Sequence, residues 1–215
     1  MEKLILSKKR AFRVSTARFA NVAFSNGSLL DGFIFRLQKK QPLSCPEDIK
    51  RFFVTPEQSG QICLLATFLG ETGNIFFPKL DFHKDQIFFK EIALDFIKDN
   101  GFIPELVKSE KEAKEIDFDN NPEKYPIYFF KTDTSGEKTY EEFYTDEEDY
   151  EIDKYDSIGF IKTSEVEISF EEVLQDFESV FRNQNSIKSD IVNIINKYVP
   201  DFMHIETGKH LDQKM

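Results

Sequence analysis

RFANVAFSNGSLL, residues 18–30, runs from an apolar stretch through a polar elbow into an amphipathic segment. Upstream of the elbow, FRVSTARFA (12–20) is rich in β-branched and aromatic residues, which predicts a mostly buried strand over 13–20. Asn21, Ser25, Asn26, Gly27 and Ser28 then crowd short polar side chains into one turn. LLDGFIFRLQKK (29–40) follows with helical spacing, so a helix is expected over 27–40.

The same alternation continues downstream: strand 51–54, helix 56–69, strand 74–79, helix 84–99 and a short strand near 103–107. Strands separated by helices of this length predict α/β units with parallel pairing. Several boundaries carry their own chemistry. VTPEQSG (54–60) places Thr55 as N-cap, Pro56 at the first helical position and Glu57 at the positive helix end. KDNGF (98–102) ends a helix on Gly101, which turns left-handed at little cost.

Composition changes near residue 109, which suggests a division into residues 1–108 and 109–215. SEKEAKEIDFDNNPEKYP (109–126) is charged and turn-rich, and EEFYTDEEDYEIDKYD (141–156) interleaves acids with aromatics. The acidic run lacks the glycine bend of a calcium loop, so it reads as a solvated acidic face whose Tyr and Ile positions touch a core. Apolar residues at 170, 173, 174, 177, 180 and 181, and again at 187, 191, 192, 194, 195 and 198, predict two helices joined around Asn183–Ser186.

The chain has 215 residues, a hydrophobic content of 40% and 24 Phe, enough for a sizeable core. A net charge of −11 argues against nucleic acid or an anionic membrane surface as a partner. No apolar run suits a bilayer span or a signal peptide, and Cys45 and Cys63 read as free, reduced core thiols, which fits a cytoplasmic protein. Three scattered histidines give a metal site no support.

Three ordered segments resemble landmarks of the extended short-chain dehydrogenase/reductase superfamily, in its UDP-N-acetylglucosamine 4,6-dehydratase and polysaccharide-biosynthesis branch. They are STARFANVAFSNGSLLDGF (15–33), DIKRFFVTPEQSGQICLLA (48–66) and SGEKTYEEF (135–143). The matching residues are Arg18, Asn21, Ser25, Gly27 and Ser28, then Arg51, Phe52, Phe53, Thr55 and Glu57, then Gly136, Glu137, Lys138, Tyr140, Glu141 and Glu142. The tail HIETGKHLDQKM (204–215) is also similar to dehydratases of this type. The resemblance implies a Rossmann-like α/β fold followed by an acidic, helical substrate region. It further implies an NAD(P)-dependent lyase that takes hydride from C4 of the sugar, eliminates water across C5 and C6, and returns hydride to C6.

The same resemblance exposes two absences. There is no GxxGxxG, and no Tyr-x-x-x-Lys precedes the elbow. MEKLILSKKR (1–10) is similar to the stretch that follows the catalytic lysine in relatives, so the chain is expected to be the C-terminal half of such an enzyme. NAD(P) is then expected in the complete enzyme but not on this chain alone, with a separately encoded N-terminal half as a possible partner and a homo-oligomer when complete. The alternative is a non-catalytic sugar-nucleotide-binding or assembly protein derived from that family.

What the chain itself supplies, on this reading, is grip on a UDP-sugar. The resemblance implies that Asn21 bonds the substrate at the strand end and that Arg51 contacts the nucleotide, where a guanidinium fork suits phosphate. Against that, Asn21 suits a turn and Arg51 suits an ion pair with an acid such as Asp48. Ser25, Asn26 and Ser28 either contact phosphate or cap the helix. Lys138, beside Glu137, is either a substrate contact or part of a turn and salt bridge. Arg18 reads as an anchor of the strand end. Relatives often carry an Arg two residues before the G-E-K; Thr134 and Ser135 precede it here, which removes one phosphate contact.

Overall fold

The computed structural model describes residues 2–7, 12–133, 141–163, 168–200, 202, 204–206 and 208. In chain order the elements are α1 (Glu2–Ser7), β1 (Thr16–Ala17), β2 (Asn21–Val22), α2 (Leu29–Gln38), β3 (Leu43–Pro46), β4 (Lys50–Arg51), β5 (Phe53–Val54), α3 (Pro56–Leu69) and β6 (Asn74–Pro78). They continue with β7 (Ile87–Phe88), α4 (Phe89–Asp99), β8 (Ile103–Val107), α5 (Glu110–Glu115), β9 (Lys124–Phe130), β10 (Tyr150–Glu151), β11 (Ile158–Lys162), α6 (Phe170–Arg182) and α7 (Lys188–Tyr198). The α/β class with parallel pairing is as expected: β1 runs parallel to β6, β2 to β5, and β9 to both β3 and β8.

The chain forms two compact units, each assembled from three segments. One comprises Met1–Arg18, Gln61–Lys79 and Phe143–Ile205; the other comprises Phe19–Gly60, Leu80–Glu142 and Glu206–Met215. The compositional change near residue 109 is therefore not where the contacts divide.

The first unit is built on a four-stranded sheet of order β1-β6-β11-β10. NIFFP in β6 is buried at all five positions, because both faces of this strand are covered. Ile75 and Phe77 pack on one face with Leu6, Val14 and Ile161, whereas Phe76 packs on the other with Ala66, Ile158 and Phe160. Tyr144 and Ile152 from the acidic run pack against the first cluster and Tyr155 against the second, as the sequence predicts. The α6 and α7 helices pair, and Asp176 accepts from both Lys197 Nζ and Tyr198 Oη at 2.6 Å.

The second unit holds the all-parallel sheet β3-β9-β8, with two-stranded pairs β2-β5 and β4-β7. Its core joins Leu30 and Phe33 of α2, Leu43 and Cys45 of β3, Ala93 and Ile97 of α4, and Tyr125 and Ile127 of β9. Tyr125 donates its hydroxyl to the Gln41 carbonyl at 2.7 Å, and burial pushes that phenol up to about 12. Cys45 is buried here, and burial pushes its thiol up. Cys63 departs from the expectation of a core thiol: it is exposed, because α3 turns Ile62 and Ala66 inward. Among the described residues no helix is long and apolar enough to cross a membrane.

Candidate functional site

The elbow is a tight, capped turn. Phe24 and Gly27 take φ of +56° and +77°, left-handed values that reverse the chain between β2 and α2. Ser28 is the N-cap of α2: its hydroxyl accepts from Asp31 N–H at 3.1 Å, and Asp31 in turn accepts from Gly27 N–H at 3.0 Å. The Ser25 carbonyl accepts from Ser28 N–H at 2.9 Å, while Asn26 is exposed. These are the hydrogen bonds of a helix cap. Ser28→Ala is expected to lower stability by about 1 kcal/mol in urea unfolding, with Ser28→Asp close to neutral. Unchanged stability accompanied by weaker sugar-nucleotide binding would make the hydroxyl a ligand contact instead.

Beneath the elbow, the three ordered segments meet on one carboxylate. Asn21 Nδ2 lies 3.0 Å from each carboxylate oxygen of Glu141 and donates to the Phe52 carbonyl at 3.2 Å. Arg51 brings Nε to 3.5 Å from Glu141 Oε1, with its side chain only 11% exposed. Its Nη1 donates to the Lys50 carbonyl at 2.8 Å. Gln86, buried, donates Nε2 to the Glu141 carbonyl at 3.4 Å. Among the described residues Arg51 meets Glu141, whereas Asp48 accepts from Thr132 N–H at 2.9 Å.

Glu141 is among the residues that carry the family resemblance, but sequence reasoning gave it no role at the site. It stands in the same SGEKTYEEF segment as Lys138, but a carboxylate is not what a diphosphate site calls for. Lys138 and Glu137 lie outside the described residues. The Asn21 amide donors are committed to Phe52 and Glu141, so Asn21 presents its Oδ1 acceptor to any ligand.

Arg18 anchors its strand end, as expected. Two bidentate forks grip Glu2 (2.7 and 3.1 Å) and Glu148 (2.8 and 3.1 Å), and Nη1 also donates to the Phe143 carbonyl at 2.8 Å. These five bonds use every donor of the guanidinium. Burial works against its charge, but the hydrogen bonds to Glu2 and Glu148 outweigh it and raise its pKa.

Residues 1–163 match the family model described as polysaccharide biosynthesis protein. The chain belongs to that family. Among solved structures, this polysaccharide biosynthesis protein is similar to Pen from Bacillus thuringiensis, with 21% identity and a TM-score of 0.55. The likeness covers 78% of this chain and 46% of Pen, so the chain spans just under half of that relative's length. At this identity the likeness establishes the α/β fold and nothing finer. Among curated proteins none matches the sequence.

The positive-φ glycines among the described residues, Gly27, Gly73, Gly101 and Gly208, sit in separate turns rather than in one phosphate-binding loop. Tyr150 and Lys154 stand at Tyr-x-x-x-Lys spacing, yet Tyr150 lies in β10 and Lys154 in the turn after it, where Lys154 Nζ rests 5.3 Å over the Tyr155 ring. A four-residue offset brings two side chains together on a helix, whereas in extended chain it sets them about 13 Å apart.

Proposed function

We propose that the chain is the substrate-binding part of a nucleotide-sugar 4,6-dehydratase acting on UDP-N-acetylglucosamine in bacterial surface-polysaccharide or nonulosonate synthesis. The observation that carries this reading is the meeting of Asn21, Arg51 and Glu141, one from each of the three ordered segments: Asn21 hydrogen-bonds the Glu141 carboxylate and Arg51 ion-pairs with it. Membership of the polysaccharide biosynthesis family supports the sugar side of the reading.

The cluster suits a sugar more than a bare anion. Glu141 Oε and Asn21 Oδ1 are acceptors for sugar hydroxyl and acetamido N–H groups, and Arg51, held by Glu141 and the Lys50 carbonyl, fixes the carboxylate in place. When bound in a complete enzyme, NAD(P) supplies the hydride chemistry; this chain binds and orients the sugar. The polypeptide is therefore expected to bind UDP-N-acetylglucosamine yet, incubated with it and NAD, to yield no 4-keto sugar by mass spectrometry. Robust 4-keto product, or no binding at all, would contradict this assignment.

A further inference from the structure

β1 ends the four-stranded sheet: it pairs with β6 on one side and, among the described residues, with no strand on the other. The pairing runs past β1 itself, since Gly73 N–H donates to the Val14 carbonyl at 2.8 Å and Arg18 N–H to the Phe76 carbonyl at 2.7 Å. Val14, Thr16 and Arg18 thus turn their backbone groups to β6. Successive residues of a strand face opposite edges, so Ser15 and Ala17 hold their N–H and C=O groups toward the open edge.

The last turns of α3 lie along the same edge. The Ala66 carbonyl accepts from Ser15 Oγ at 2.7 Å, and the Thr67 carbonyl accepts from Arg13 Nη2 at 3.1 Å. Ile62 and Ala66 are buried, whereas Leu64, Leu65, Phe68 and Leu69 are exposed, Phe68 to 76%. These four leave on the order of 400 Å² of apolar surface in water, a patch of the size that often marks an interaction site.

Charge and symmetry point to a second copy of the chain as the occupant. The net charge is −11, yet residues 12–17 and 61–69 contain no Asp or Glu, so this face lacks the charge that repels another copy elsewhere. Other sheet edges carry what deters pairing: β8 has Pro104 and Glu105, and β10 lies within the acidic run. Ala66 packs with Ala17 and Phe76 on one face of the sheet. A twofold axis normal to the sheet therefore sets β1 antiparallel to its mate and brings the two α3 helices together on that face. One operation covers both the edge and the apolar patch.

We propose that the chain forms a reversible homodimer through the open edge of β1 and the exposed face of α3. The apolar patch is about half of the roughly 800 Å² that each partner of a stable complex buries, so the dimer is weak and concentration-dependent.

The test is sedimentation velocity over a concentration series, with amide hydrogen exchange read at Ser15 and Ala17. The wild type is expected to pass from monomer to dimer, and both amides to become protected as it does. Phe68→Glu and Leu64→Glu, at exposed positions, are each expected to weaken the dimer about tenfold or more by setting like charges across the axis. Leu106→Glu, at a similarly exposed leucine of β8, leaves it unchanged. A wild type that stays monomeric leaves the face to another polypeptide and overturns the proposal. So does a dimer that survives both folded α3 variants, assembly beyond the dimer, or a dimer whose Ser15 and Ala17 amides exchange freely.

Discussion

Phe77→Ala is expected to lower stability by about 3–5 kcal/mol, the range for removing a large, fully buried aromatic side chain. Phe77 is 1% exposed and sits in β6, opposite Gly159 of β11. Its ring stacks against Phe143 at 6.4 Å and Tyr144 at 4.8 Å, so it seats the segment that follows the candidate cluster in sequence. The absence of a side chain at Gly159 is what admits the ring: a Cβ there would come within 2.6 Å of the Phe77 Cζ. Truncation leaves a void lined by Leu6, Val14, Ile161, Phe143 and Tyr144. Urea unfolding measures the loss; a change below about 1 kcal/mol would show that the site relaxes around the missing ring.

Arg18→Leu is the second large effect. It leaves Glu2 and Glu148 facing each other across the vacated position, each about one-third exposed or less, with no cation between them. Breaking a buried pair costs about 3–5 kcal/mol, and partial exposure here reduces that to about 2–3 kcal/mol near pH 7. The penalty has a pH signature. Partial burial pushes the Glu148 carboxyl up, but the hydrogen bonds from Arg18 and from Thr145 N–H outweigh it and hold the pKa below its ordinary value. A depressed carboxyl contributes stability that is present above the unfolded pKa and lost as pH falls through the folded one. In the wild type, stability therefore falls as the pH drops below about 4.5, whereas in Arg18→Leu protonation relieves carboxylate repulsion. The gap between the two proteins should narrow on acidification. A gap that stays constant from pH 7 to pH 3 would mean that the lost packing of the side chain, not its charge, sets the cost.

Where local chemistry decides, the sequence was sufficient. Thr55 and Pro56 mark the start of α3, and the helix over 56–69 is found at Pro56–Leu69. The short strand over 103–107 is found at Ile103–Val107. Departures arise where tertiary pairing overrides local signals. Of the strand expected over 13–20, only Thr16–Ala17 is strand, because it pairs with β6; the next strand, Asn21–Val22, begins beyond that range and pairs with β5. The helix expected from residue 84 starts only at Phe89, since Ile87–Phe88 pairs with β4. Two strands of the second unit were hidden by their prolines: LSCP ends on Pro46, and KYPIYFF carries Pro126 although it is the central strand of its sheet.

The candidate site was half legible for a related reason. Asn21 and Arg51 stand in recognisable segments, but Glu141 is 120 residues from Asn21 in sequence, and nothing local marks its carboxylate as the group that joins them.

The most direct test of the nucleotide-sugar reading is calorimetric titration of the chain with UDP-N-acetylglucosamine, in the wild type and in Arg51→Ala. The account predicts saturable binding by the wild type and an affinity lowered about tenfold or more in the variant, since losing Arg51 frees Glu141 from its fixed position. No saturable binding by the wild type, or the same dissociation constant in both proteins, would contradict it.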